Sequence, residues 1–234
     1  LTTLTTADNN IAIGYGAGDV LTTTSDIVAI GFSAGGAINS ADADGTVAIG
    51  SLAGAAITSG QQNTFMGYKA GYENAIGDYN VAIGYEAMDD TLASLQNDKN
   101  IAIGAAAMGG TWLTAASTDN VAIGYRSMYG AMNGALRNTA IGTSALGALT
   151  TGDSNTVVGR AAADAITSGA SNVAIGDSAL GTADTALQNI VIGGDAMSAV
   201  PASQAVSSCI AIGVNAAKGS ASTTTGIDGT VAVG

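Results

Sequence analysis

The stretch Asn80-Val81-Ala82-Ile83-Gly84-Tyr85-Glu86-Ala87 decides the fold, because close variants of it recur along the whole chain. Successive copies are 17 to 21 residues apart, and 17 is the commonest spacing. A short sequence that recurs at such a period is typical of solenoids, in which each copy is one structural unit. The glycines of the thirteen copies are Gly14, Gly31, Gly50, Gly67, Gly84, Gly104, Gly124, Gly142, Gly159, Gly176, Gly193, Gly213 and Gly234.

The residues before each glycine predict a strand. Counted from the glycine as position 0, positions −1 and −3 are Ile or Val in most copies, and position −2 is usually Ala. Side chains of a strand alternate between its two faces, so −1 and −3 share one face and −2 lies on the other. We expect the Ile and Val side chains to form the core and the alanine to face outward.

Other positions of the repeat predict how the units stack. Asn fills position −4 in nine copies, which indicates a ladder of amides that hydrogen-bond from coil to coil. Ala at +3 indicates close packing, and apolar residues at +7, such as Leu21, Ile57 and Leu149, predict a second short strand. A 17-residue unit cannot bury its own apolar face, so neighbours must stack. The predicted fold is all-β, a parallel β-solenoid of about thirteen coils in a single domain over residues 1–234.

Composition excludes several classes of function. The 234 residues include no histidine, one cysteine and six scattered Lys and Arg, with a net charge of −12. No basic patch is available for nucleic acid, and the Ser-His and Cys-His catalytic pairs cannot form. We therefore expect no cofactor, no metal and no catalytic residue. The uncharged residues 100–118 and 196–217 are too rich in polar residues and glycine to insert in a membrane.

The strings NVAIGYEAM, NIAIGAAAM, NTAIGTSAL and NVAIGDSAL resemble the repeats in the heads of trimeric autotransporter adhesins and the NTAIGxxAL arrays of bacteriophage tail fibres. The resemblance covers residues 10–234 and implies a left-handed parallel β-roll in which three chains stand side by side. The adhesin heads use a shorter unit of about fourteen residues, so the coil length here is more similar to the phage fibres. The resemblance implies an extracellular fibre on a virion or a bacterial cell, of which this chain is a fragment.

The alanine stripe at position −2 gives a second reason to expect an oligomer. An apolar row along one wall would be larger than the apolar patches that monomers usually expose, so we expect it to be covered by other copies of the chain. The predicted interface consists of Ala12, Ala29, Ala48, Ala82, Ala102, Ala122, Ala140, Ala174, Ala211 and Ala232.

Aromatic residues at position +1 form a candidate binding surface. Aromatic faces suit sugar rings, although simple stacking of neighbouring rings would also explain the pattern. We expect a host glycan or protein as the partner, if the surface binds one. The residues are Tyr15, Phe32, Tyr68, Tyr85 and Tyr125.

Two alternative functions remain open. A glycan-cleaving tailspike would need a pair of carboxylates, for which Glu73, Glu86 and loop aspartates such as Asp89 and Asp90 are the candidates. An ice-binding solenoid would need a repeated flat row of threonines, whereas the clusters at Thr2, Thr22 and Thr223 are not repeated on consecutive coils.

Three smaller motifs carry weaker expectations. The sequence matches a nucleophile elbow at Gly31-Phe32-Ser33-Ala34-Gly35, but this stretch is one copy of the repeat. A calcium site at Asp42 and Asp44 would lack the further ligands of a calcium-binding loop. Lys69 and Glu86 are both at +2 on neighbouring coils, which predicts a surface ion pair. The function favoured by the sequence is a structural and adhesive fibre segment that is not an enzyme.

Overall fold

The computed structural model describes residues 6, 8–200, 206–219 and 228–234. The chain divides into two compact units, Leu1–Asp119 and Asn120–Gly234. Each unit is built from short parallel strands stacked in sequence order, which confirms the predicted all-β parallel solenoid. Three features stay predictions: the single domain over residues 1–234, the left-handed winding of the solenoid, and the assembly into a trimer.

The first unit contains six strands of three residues, one in each coil. Each strand pairs in parallel with the strand of the next coil, and position −2 always lies opposite position −2, as for Ala12 opposite Ala29. A 3₁₀ turn at Ala41–Ala43 follows Ser40, whose hydroxyl accepts a hydrogen bond from the Asp42 amide. The strands are β1 (Ile11–Ile13), β2 (Val28–Ile30), β3 (Val47–Ile49), β4 (Thr64–Met66), β5 (Val81–Ile83) and β6 (Ile101–Ile103).

The second unit repeats this arrangement with seven strands. The copies keep the same register, as for Ala174 opposite Val191 and Val191 opposite Ala211. The extra residues of the longer copies therefore lie outside the strands. The strands are β7 (Val121–Ile123), β8 (Thr139–Ile141), β9 (Thr156–Val158), β10 (Val173–Ile175), β11 (Ile190–Ile192), β12 (Ile210–Ile212) and β13 (Val231–Val233).

The predicted inner and outer faces of the strands are exchanged in the structure. The central residue of each strand points into the coil, and the flanking Ile and Val side chains point outward and are half-buried or exposed. The two-residue alternation of side chains along a strand correctly places positions −1 and −3 on one face, but it does not determine which face lies inside the coil. The interior of a coil closed by three-residue strands is narrow, so it accepts alanine more readily than two branched side chains.

The alanine stripe is therefore part of the core, and its prediction as the oligomer interface is wrong. Phe65, Val157 and Val191 at the same position are also fully buried, whereas the two alanines of the terminal coils are partly covered. The corrected residues are Ala29, Ala48, Ala82, Ala102, Ala122, Ala140, Ala174 and Ala211, which are buried, and Ala12 and Ala232, which are half-buried.

Positions +3, +4 and +7 supply further parts of the core. The +3 alanines are buried, and Ser127, which replaces one of them, donates its hydroxyl to the Ala140 carbonyl at 3.0 Å. The methionines at +4, such as Met88 and Met128, are buried as filler. The large apolar residues at +7, such as Leu21 and Leu149, are also buried, but the described ranges show no strand there, so the predicted second strand is wrong.

Each coil turns through residues in the left-handed region of backbone conformation. Positions −5, +2 and +4 have positive φ in coil after coil, including bulky residues such as Lys69 (φ 54) and Met88 (φ 51). Glycine is required at position 0 for a second reason, as at Gly193 (φ 135), because a Cβ there would overlap the Gly213 carbonyl oxygen of the next coil. The predicted close backbone approach at this glycine is confirmed.

The predicted asparagine ladder at position −4 is also confirmed. The Asn155 Oδ1 accepts the Asn172 amide at 3.0 Å and the Asn172 Nδ2 at 2.9 Å. The Asn155 Nδ2 donates to Asn138 Oδ1 and to the Gly169 carbonyl, both at 2.9 Å. Every donor and acceptor of this buried amide therefore has a partner, and the ladder fixes the register of successive coils. Cys209 replaces one ladder asparagine and is buried, with its amide bonded to Asn189 Oδ1 at 3.0 Å.

Candidate functional site

The aromatic residues at position +1 lie on the surface of the coils and stack in pairs. The Tyr15 and Phe32 rings have centroids 5.7 Å apart at 11°, and the Tyr68 and Tyr85 rings are 5.4 Å apart at 21°. Tyr125 in the second unit is also exposed. Stacking between neighbouring coils, which the sequence suggested as the simpler explanation, is present in both pairs. All five residues remain exposed, from Tyr15 at 82% to Tyr68 at 40%.

The two cations next to this ladder contact aromatic rings. Lys69 Nζ lies 5.7 Å from the Tyr68 centroid and 5.2 Å from that of Tyr72. The predicted Lys69–Glu86 ion pair does not form, because the salt bridges found in the described ranges are Arg160–Asp177 and Lys218–Asp195. Lys69 instead contacts the tyrosines at +1 and +5 of its own coil.

The second unit contains the same arrangement. The Arg126 guanidinium carbon lies 5.7 Å from the Tyr125 centroid and 4.5 Å from that of Tyr129. The spacing Tyr, Lys or Arg, two residues, Tyr is therefore a local signature that sequence reasoning could have found. The repeat pattern does not emphasise it, because the two tyrosines occupy different positions, +1 and +5, and recur together in two copies.

Carboxylates cluster beside Lys69 on the fourth and fifth coils. The Glu73 amide donates to the Asp89 carbonyl at 3.2 Å, and the Thr111 hydroxyl donates to Asp90 Oδ2 at 2.5 Å. Burial, and then the nearby Glu86 carboxylate, raise the pKa of Asp89 to about 6. Burial and the neighbouring Asp90 also raise the pKa of Glu73. The cluster therefore holds protons at a higher pH than isolated carboxyl groups would.

The carboxylates of this cluster affect one another's protonation. After burial, the neighbouring Asp90 is the next cause that raises the pKa of Glu73. A glycosidase would hold its two carboxyl groups ~5 Å apart in a retaining enzyme and farther apart in an inverting one, and the tailspike alternative stays a prediction. The described residues contain no group of three or more His, Cys, Asp or Glu side chains arranged to hold a metal ion.

Aspartates at position −6 form a second ladder that the sequence did not reveal. Asp153 Oδ1 accepts the Leu136 amide of the preceding coil at 2.8 Å, and Asp78 Oδ1 accepts the Gln61 amide at 2.9 Å. Asp98 and Asp228 make the same contact, each at 2.8 Å. The repeat pattern does not reveal this ladder, because Asp occupies position −6 in only six of the thirteen copies.

The candidate calcium pair joins this structural set. Asp44 Oδ1 accepts the Ser25 amide at 2.6 Å, and Asp42 Oδ2 accepts the Ser40 hydroxyl at 3.2 Å. The two carboxylates therefore bond to the chain itself, which leaves fewer oxygens for a cation.

The threonines proposed for ice binding do not form a common face where they are described. Thr24 is buried, and its hydroxyl donates to the Ser40 carbonyl at 2.9 Å, whereas Thr23 is exposed. Thr2 and Thr223 lie outside the described residues. Ser33 of the apparent nucleophile elbow is a left-handed turn residue (φ 50) of an ordinary coil.

The outward Ile and Val side chains form an apolar row in each unit, which we call the Ile/Val face. It consists of positions −1 and −3 of consecutive strands, with Thr or Met in a few places. Ile13, Ile141 and Ile212 are among its exposed members. The other members are half-buried or exposed, so the part of the chain that the structure describes does not fully cover this face.

Comparisons with known proteins found no match, whether against family models, curated proteins or solved structures. Within the described ranges, the chain contains no helix of the length and apolarity that a membrane crossing requires.

Proposed function

We propose that this chain is a structural and adhesive segment of an extracellular fibre, in which three copies associate side by side through the Ile/Val face. The observation that carries the proposal is this face, because paired branched side chains point outward at strand after strand. Monomeric proteins seldom leave so continuous an apolar surface in water.

The dimensions of the face support association along its length. The six strands of the first unit are separated by five steps of ~4.8 Å, so their row of Ile and Val is ~24 Å long. The row repeats the same side chains at each step, so a second copy can match it at every coil. The resemblance to adhesin heads and tail fibres favours three chains around a common axis and a place on a virion or a bacterial cell.

The electrostatic character fits a passive, surface-exposed role. The net charge of −12 and the scattered cations disfavour nucleic acid, and hydrogen-bond ladders of buried asparagine and of aspartate join successive coils. Projection and attachment require a stiff scaffold, which stacked coils provide. The partner at the far end of such a fibre would be a glycan or a protein of a host surface.

The proposal is tested by adding the same charge at two positions of one coil. Ile175 belongs to the Ile/Val face, whereas Thr185 is exposed in the loop that follows. Ile175→Asp would place three carboxylates around the common axis, and burying unpaired charges costs several kcal/mol per ion. We expect sedimentation velocity to show a trimer for the unchanged chain and for Thr185→Asp, and dissociation for Ile175→Asp. A wild-type chain that sediments as a monomer would overturn the proposal.

A further inference from the structure

The aromatic ladder of the first unit lacks one ring in its middle. Position +1 is Tyr15 and Phe32 in the first two coils, Ser51 in the third, and Tyr68 and Tyr85 in the next two. Phe32 stacks on Tyr15 and Tyr68 stacks on Tyr85, so each of the inner two rings has a neighbour on its outer side. At position +1 only Ser51 stands between Phe32 and Tyr68 in the coil order, and the Lys69 ammonium lies over the Tyr68 ring, 5.7 Å from its centroid.

The backbone beneath this gap is regular. The Leu52 amide donates to the Phe32 carbonyl at 2.8 Å, and the Lys69 amide donates to the Ser51 carbonyl at 3.0 Å. These hydrogen bonds are the same as those beneath the stacked pairs, where Ser33 bonds to Tyr15 and Glu86 to Tyr68. The third coil therefore keeps the spacing of its neighbours, and Phe32 and Tyr68 are attached two coil steps apart.

The width of the gap matches one inserted ring. Two coil steps amount to ~10 Å, because neighbouring strands lie ~4.8 Å apart. Stacked rings place their centroids ~4.5 to 7 Å apart, so a single ring between Phe32 and Tyr68 makes two stacking contacts. Phe32 is 52% exposed, which leaves the gap open to solvent.

The surroundings of the gap favour a neutral sugar ring. A pyranose has apolar C–H faces for the two aromatic walls and hydroxyl groups at its rim, and Ser51 offers a hydroxyl at the base. Lys69 Nζ, 5.7 Å from the Tyr68 centroid, adds a donor beside one wall. Anionic ligands are disfavoured by the net charge of −12 and by the carboxylates Glu73 and Glu86 on the adjoining coils.

We infer that the slot formed by Phe32, Ser51 and Tyr68 binds one neutral pyranose ring, sandwiched between the two aromatic side chains. This inference deepens the adhesive part of the proposed function and rests on it for its biological role, while the binding itself is a property of one chain. A single sandwiched ring binds weakly, and a fibre that carries several copies of the slot gains avidity on a surface of repeated glycans.

The two phenylalanines of the chain provide a direct probe. Phe32 is exposed in the slot and Phe65 is fully buried, so fluorophenylalanine labelling of the full chain gives one reporter and one internal control. Titration with the methyl pyranosides of glucose, galactose and N-acetylglucosamine is followed by fluorine NMR. We expect at least one sugar to shift the Phe32 resonance with a millimolar Kd and to leave the Phe65 resonance unchanged.

Variants at Ser51 separate the slot from general surface binding. Ser51→Tyr supplies the missing ring and should weaken the sugar at least tenfold, whereas Ser51→Ala keeps the slot open and should retain binding. Tyr125→Ala, in the second unit, is the control and should have no effect. Sedimentation of the same samples reports the trimer independently, so failure of the fibre proposal and failure of the slot are distinguishable.

Three results would overturn the inference. The first is a Phe32 resonance that no sugar shifts at concentrations up to about 50 mM. The second is a Ser51→Tyr variant that binds the sugar as well as the unchanged chain does. The third is a slot that binds indole but none of the pyranosides. The last result would assign the slot to an aromatic side chain of a protein partner.

Discussion

At the scale of single residues, two adjacent glycines have opposite requirements. Gly193 has φ 135, and a Cβ there would overlap the Gly213 carbonyl oxygen, whereas the nearest atom to a Cβ on Gly194 is the Asp177 oxygen at 4.0 Å. We predict that Gly193→Ala lowers the free energy of unfolding by about 1–3 kcal/mol or more, through backbone strain and displacement of the next coil. Gly194→Ala should leave it within about 0.5 kcal/mol. Urea denaturation of the two variants measures the difference, and equal stability would show that the coils yield easily at position 0.

Asp89 gives the protein a pH-dependent stability. Its pKa is raised from 3.8 to about 6 by burial and by Glu86, while Lys69 and its own amide act in the opposite direction. Between these two pH values the folded chain holds a proton that the unfolded chain has lost, so stability falls as the pH rises from about 4 to about 6.

We predict that Asp89→Asn removes part of this slope. The variant should melt at a higher temperature than the unchanged chain at pH 7, and at nearly the same temperature at pH 4. A smaller slope should remain, because burial also raises the pKa of Asp98 and of Asp164. Identical melting curves for the two proteins at pH 7 would show that Asp89 is relaxed and solvated in solution.

At the scale of the strand, two neighbours in β8 test which face is inside. Ala140 is fully buried, and Ile141 beside it is 38% exposed. We predict that Ala140→Asp abolishes folding, because it buries a carboxylate without a partner inside the coil. Ile141→Asp should preserve the β-rich circular dichroism spectrum while weakening association. If Ala140→Asp folded and Ile141→Asp did not, the faces would be those that the sequence first indicated.

The strand also shows why the sequence predicts some features and not others. Asn155 and its equivalents could be placed in a ladder because the same residue recurs at one position, and stacked coils bring equal positions together. The choice between Ala140 and Ile141 as the inner residue could not be made, because alternation is symmetric between the faces. That choice depends on the width of the closed coil, which is set by turns through left-handed residues such as Ser144 and Leu146.

The sequence pattern also does not predict which side chains of neighbouring coils contact one another. Lys69 and Glu86 occupy the same position on neighbouring coils, yet Lys69 lies over Tyr68 and Tyr72. A hydropathy pattern does not encode the direction of a long side chain, and the backbone does not distinguish the two residues, since both have positive φ (54 and 51). The slot at Ser51, by contrast, can be predicted from the sequence, because the third coil lacks an aromatic residue at +1 and aromatic residues at +1 are known to stack between consecutive coils.

At the scale of the whole molecule, charge and apolar surface act on assembly in opposite directions. Each chain carries a net charge of −12, so copies of the chain repel one another. The range of this repulsion is the Debye length, which is ~30 Å at 0.01 M salt and ~8 Å at 0.15 M. The six cations are outnumbered by eighteen carboxylates, and two of them, Arg160 and Lys218, pair with carboxylates of their own chain. The attraction we propose comes from the Ile/Val face, and apolar contacts are not weakened by screening.

We therefore predict that salt strengthens the trimer. Raising NaCl from 0.01 M to 0.15 M should increase the trimeric fraction at a fixed micromolar concentration, as measured by sedimentation equilibrium. Ile175→Asp should remain dissociated at both concentrations, because screening cannot remove the cost of burying its carboxylate. Dissociation of the unchanged chain on addition of salt would mean that ion pairs between copies hold the fibre together. The Ile/Val face would then have to be covered by something other than a second copy of this chain.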